Sequence, residues 1–138
     1  MLKQVMVYDN CPNILTLFDR ILSNEGFEVM SSASPMNSFD IDPLQVDIII
    51  LGYIVGYLDH ELDILRKLRQ NIRTALIPVI ICTTGALYIQ NREEIINDHR
   101  LAVVSKPFAI EQLLAAVDLL LKNSSTSSTT EKVEVALA

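Results

Sequence analysis

The sequence predicts an α/β domain, a doubly wound five-stranded parallel sheet with helices on both faces. Two observations predict it. Short apolar runs, often β-branched, recur five times without the polar alternation of a half-exposed strand, as expected of parallel strands buried on both faces. Between them lie segments whose apolar residues recur every three and four positions, which suits single helices returning over the sheet. The 138 residues suit one domain, and with half of them apolar and a fifth charged the chain is not disordered throughout.

Val5-Met6-Val7-Tyr8 reads as the first strand and ends in polar Asp9-Asn10. Pro12 is well placed in the first turn of a helix, with Ile14, Leu17, Phe18, Ile21 and Leu22 on one face and an end near Gly26. Phe27 to Met30 is the second strand. Ser31 to Pro35 reads as a loop opening a weak helix or an irregular segment. Val46 to Leu51 is the most strongly strand-like run, expected at the centre of the sheet, and it stops at Gly52. The next helix places Leu62, Leu65, Leu68 and Ile72 on one side and Arg66, Lys67 and Arg69 toward water. Ile77 to Cys82 is the fourth strand, with Pro78 near its start. A more polar helix from Leu87 to Asn97, a strand from Leu101 to Val104, and a last helix carrying Ile110, Leu113, Leu114, Val117, Leu120 and Leu121 complete five repeats. The domain is thus expected over residues 1–122, with the Ser/Thr-rich residues 123–138 as a flexible tail.

Eleven Lys and Arg against seventeen Asp and Glu give a formal charge of -6, which disfavours nucleic acid and anionic membranes as partners. No apolar run has the length of a membrane span. The start, MLKQVMVYDN, enters a strand pattern at once without a leader, so a cytoplasmic protein is expected. Cys11 and Cys82 lie far apart with no CxxC, as reduced thiols would. His60 and His99 fall on other loops or helix ends and activate neither thiol, so no nucleophilic enzyme is expected.

In a doubly wound sheet the chemistry lies outside the carboxyl ends of the strands. Asp9-Asn10, Gly52, Thr83-Thr84 and Ser105-Lys106-Pro107 should therefore converge. A strand ending in Asp9-Asn10 before Pro12, the central run Val46 to Leu51, Ile77 to Thr83, and Ser105-Lys106-Pro107-Phe108 together resemble the receiver domain of bacterial two-component response regulators, over residues 3–122. The resemblance implies a flavodoxin-like strand order 2-1-3-4-5. It places Asp9 and Asn10 where receivers hold magnesium with an acidic pair, and Gly52 where the phosphoacceptor aspartate stands. Thr83 and Lys106 match the residues that contact the phosphoryl oxygens. Val103 takes the place of the aromatic residue that reorients on activation.

Gly52 offers no nucleophile for phosphoryl transfer. With glycine there and an amide at Asn10, Asp9 alone is a poor magnesium site, and no cofactor is expected. Asp47 starts the same strand, roughly 16 Å away, and cannot substitute. Asp59 precedes an apolar-periodic segment and is expected to cap a helix. Lys106 without an acceptor is expected to pair with Asp9. The sharper alternative is a small anion held by Thr83, Lys106 and backbone groups around Thr84-Gly85. Tyr53 and Tyr57 either fold over the vacated position or are exposed loop aromatics. The expectation is a non-enzymatic, phosphorylation-independent receiver of a two-component phosphorelay. It would act on a signalling protein partner, or pair with a second copy, through the face of the fourth helix, fifth strand and fifth helix, and its output would pass through another protein. The alternative is a flavodoxin-like domain regulated by a small anion or cofactor.

Overall fold

The computed structural model describes residues 3–9, 11–32, 46–52, 58–84, 92–106 and 108–125. In chain order these hold β1 (Gln4–Tyr8), α1 (Pro12–Asn24), β2 (Glu28–Ser32), β3 (Ile48–Leu51), α2 (Leu58–Gln70), β4 (Val79–Thr83), α3 (Glu93–Ile96), β5 (Leu101–Ser105) and α4 (Ile110–Ser125). All four strand pairings are parallel, and the order is β2-β1-β3-β4-β5. The expected fold class and strand order are the observed ones.

Strand residues alternate between two cores because successive side chains leave opposite faces of a sheet. Val5, Val7, Ile48, Ile50, Ile80, Cys82, Ala102 and Val104 pack with Phe18, Ile21 and Leu22 of α1 and Leu113, Ala116, Val117 and Leu120 of α4. Met6, Tyr8, Ile49, Leu51, Val79, Ile81, Leu101 and Val103 pack with Leu62, Ile64, Leu65 and Leu68 of α2. Each fully buried Leu or Ile contributes on the order of 1.5–3 kcal/mol, so both faces are needed to hold the sheet. The turn after α1 is closed by Gly26, whose φ of 88° suits only a residue without a side chain. Its N–H donates to the Ser23 carbonyl and that of Phe27 to Leu22, a helix-ending pair of bonds.

Several boundaries differ from the sequence expectation. Ile72 is not on the buried side of α2: the helix stops at Gln70 and Ile72 is 91% exposed. The Asn71 side chain accepts the Arg73 N–H at 2.9 Å and the Thr74 hydroxyl donates to the Leu68 carbonyl at 2.6 Å, so a side-chain-closed turn replaces the next helical turn. Arg69 does not face water but pairs with Asp98. Leu17 and Ile110 belong to the apolar spacing yet are exposed. Pro78 precedes β4 rather than lying within it, its carbonyl accepting the Ile49 N–H. Asp59 lies inside the first turn of α2 rather than ahead of it. Of the expected helix from Leu87 to Asn97, Glu93–Ile96 is helical, and 87–91 lie outside the described residues, as do the segment after β2 and the tail beyond 125. The last helix runs to Ser125, past the expected boundary at 122.

Candidate functional site

The strand register brings the ends of β1, β3, β4 and β5 level. Tyr8 pairs with Leu51, Leu51 with Ile81, and Thr83 with Ser105. The residues immediately after β1, β3 and β5 are Asp9, Gly52 and Lys106, so three sequence-distant positions meet on one rim. Thr83 ends β4, is 1% exposed, and its carbonyl accepts the Lys106 N–H at 2.8 Å. Asn10, Tyr53, Tyr57, Gly85 and Pro107, all named from the sequence, lie outside the described residues.

Asp9 is fully buried, which is tolerable for a carboxylate only with partners at both oxygens. Oδ1 accepts the Cys11 N–H at 2.9 Å, which also fixes the entry into α1. Oδ2 faces the Lys106 ammonium at 3.2 Å. The same ammonium donates to the Gly52 carbonyl at 2.8 Å. One lysine therefore ties together the ends of β1, β3 and β5, with its side chain 10% exposed.

Gly52 is the key to this geometry. A Cβ built on it would stand 2.6 Å from Asp9 Oδ2 and 3.5 Å from both Asp9 Cγ and the Phe18 ring. Real Cβ atoms do not approach an oxygen so closely, so Asp9 holds its present position only because position 52 has no side chain. Phe18 in turn stacks on Phe108, with ring centroids 5.7 Å apart, and these rings flank the group from the α1 and α4 side. The sequence reading did not anticipate that pair; Phe108 directly after the Ser-Lys-Pro run was the available signal.

With the side chains as placed, the described residues of this rim offer no free oxygen to a magnesium ion. Hard cations need several oxygens at short range, yet Asp9 Oδ2 and the Gly52 carbonyl already face an ammonium. Val103, which the resemblance matched to the switch position, pairs with Ile81, is buried in the core beneath α2 and has no ring to reorient. Cys82 is buried and Cys11 partly so. Asp47 is at the other end of the sheet, where its carboxylate accepts the Gln4 N–H at 2.7 Å.

A second polar group, not found by sequence reasoning, lies where the strands begin. Arg69 Nε donates to Asp98 Oδ2 at 2.7 Å, and its terminal nitrogens donate to the Ile77 carbonyl at 2.7 Å and the Arg100 carbonyl at 3.1 Å. It pins the segments entering β4 and β5. Its partner is 29 residues away, a distance no local pattern reveals.

No protein-family model matches the chain. Among curated proteins it is 27% identical over 124 residues to the DNA-binding dual master transcriptional regulator RpaA of Synechocystis sp., the match covering 89% of this chain. The chain spans about half, 51%, of that relative's length. Among solved structures it superposes on the response regulator TrrA of Thermotoga maritima in complex with Mg(2+)-BeF, with a TM-score of 0.71 and 21% identity over 86% of this chain and 99% of that one. It also superposes on a response regulator receiver domain protein from Clostridium thermocellum, with a TM-score of 0.69 and 22% identity over 90% and 98% of the two chains. These likenesses span nearly the whole of each solved receiver and share its strand order, so the protein has the fold of the response-regulator receiver domains that its sequence resembles.

Proposed function

We propose that the protein is a receiver module of two-component signalling that works without phosphorylation of its own, through contact with another protein. The receiver part of this reading is supported by the likeness to response regulators in sequence and fold. The phosphorylation-independent part is carried by one observation: the space a side chain at position 52 would occupy is taken by Asp9 Oδ2, which faces Lys106. In-line phosphoryl transfer needs a nucleophilic oxygen and a cation to neutralise developing charge. Among the described residues of this rim no carboxylate stands at position 52 and Asp9 is taken up by Lys106, and Lys106, already bonded to Asp9 and to the Gly52 carbonyl, gives the small-anion reading no support. The partner surface on this reading is the face of α3, β5 and α4. There β5 is an edge strand, and Ile96 on α3 and Ile110 at the start of α4 are exposed.

The test is incubation of the protein with magnesium and acetyl phosphate, followed by intact mass, with Gly52→Asp alongside. No phosphoryl adduct is expected on the native chain. None is expected on Gly52→Asp either, since the new Cβ meets Asp9 before its carboxylate can be used. A native adduct would overturn the reading, and an adduct on the variant alone would show that only the nucleophile is missing.

A further inference from the structure

The end of the sheet remote from Asp9 carries a cleft of about 440 Å³ between the last turns of α2 and the turn before β5, its lining including Arg66, Arg69, Ala75, Asp98, His99 and Arg100. Three features set it apart. Three of the chain's eleven cationic residues, Arg66, Arg69 and Arg100, line it in a chain of net charge -6, Arg73 stands in the turn that contributes Ala75 to the lining, and residues 66–76 contain no acid. Among the described residues Arg73 and Arg100 pair with no carboxylate, whereas Arg69 is held by Asp98 and Arg66 by Asp63. Next to the cleft, in the same turn, Ile72 is 91% exposed and Leu76 68%. Apolar side chains so exposed beside surplus charge gain by being covered, and a cover bearing carboxylates gains twice.

We propose that this cleft and the 71–77 turn form a docking surface for an acidic segment of another protein, one that carries large apolar side chains. The apolar groups would cover Ile72 and Leu76, and the carboxylates would meet Arg73 and Arg100. Exposed Ile and Leu decide against a nucleic acid, whose phosphates would use the arginines and leave both apolar side chains in water. The surface lies at the strand starts, away from the Asp9 rim though bordering the turn between α3 and β5, so it stands whether or not the reading of the rim does.

The test is fluorescence anisotropy of a labelled peptide of Glu and Leu at helical spacing. Controls are a version with Gln for Glu, a version with Ser for Leu, and a short DNA duplex. Saturable binding of the Glu/Leu peptide is expected, with both altered peptides and the duplex failing. Arg73→Glu with Arg100→Glu, and separately Ile72→Ser with Leu76→Ser, should each weaken binding at least about tenfold while the circular dichroism melt stays that of the native chain. Four outcomes would overturn the proposal. They are absence of peptide binding, binding indifferent to both variant pairs, equal binding of the duplex, or self-association of the native protein that either pair abolishes, which would make a second copy the occupant.

Discussion

Where the strands finish, a lysine is buried against a carboxylate: Lys106 and Asp9 are 10% and 0% exposed, and the ammonium is bonded to three-strand geometry through the Gly52 carbonyl. Where the strands start, Arg69 holds Asp98 with both partly accessible, at 19% and 13%, and further cations remain at the surface beside uncovered Ile72 and Leu76. Both ends use an ion pair to join distant segments. They differ in what is left over among the described residues: at the first end Asp9 and Lys106 match each other, while the second has surplus positive charge and exposed apolar area. Among the described residues, the unmatched surface is therefore at the end opposite to the one where this fold class places its chemistry.

That contrast can be broken from either side. The largest effect is expected for Lys106→Met, which leaves Asp9 buried without a counter-charge; a loss of about 3–5 kcal/mol should appear in urea unfolding. A loss below about 1 kcal/mol would mean that Asp9 readily finds water or another donor, and that the rim is open rather than closed. Next comes Gly52→Ala, where the added methyl must displace Asp9 from Lys106. A destabilisation of about 1–3 kcal/mol is expected, and an unchanged melting temperature would show that Asp9 can turn aside. At the other end Arg69→Ala removes the bonds to Asp98 and to the Ile77 and Arg100 carbonyls. About 1–2 kcal/mol is expected, below the Lys106 variant because water can reach the groups left behind. The smallest effect belongs to Ile72→Ser, within about 0.5 kcal/mol, since a side chain so exposed supports nothing inside the fold.

Much of the architecture was legible because it rests on periodicity. Runs such as Ile48-Ile49-Ile50-Leu51 can be satisfied only with both faces covered, and the helical spacing of Phe18, Ile21 and Leu22 marks the cover. Periodicity failed where a side chain competes with the backbone. Ile72 continues the spacing of Leu62, Leu65 and Leu68, but Asn71 and Thr74 divert the hydrogen bonds and the helix stops. On the rim, Asp9 and Lys106 were legible as opposite charges at neighbouring strand ends. The 2.6 Å approach behind Gly52 was not, because it depends on a side-chain position rather than on residue type. Helical spacing points Arg69 toward water because it records which side of a helix a residue is on, and says nothing of Asp98 beyond the next strand.

The central claim is that the Asp9–Lys106 pair closes the rim behind Gly52. It is tested most directly by following backbone amide shifts of the native protein while magnesium and beryllofluoride are added. The amides of Asp9, Gly52, Thr83 and Lys106 should stay unmoved to saturating concentrations of both. Saturable shifts confined to those four residues would show a competent acidic pocket, and the closed-rim account would be contradicted.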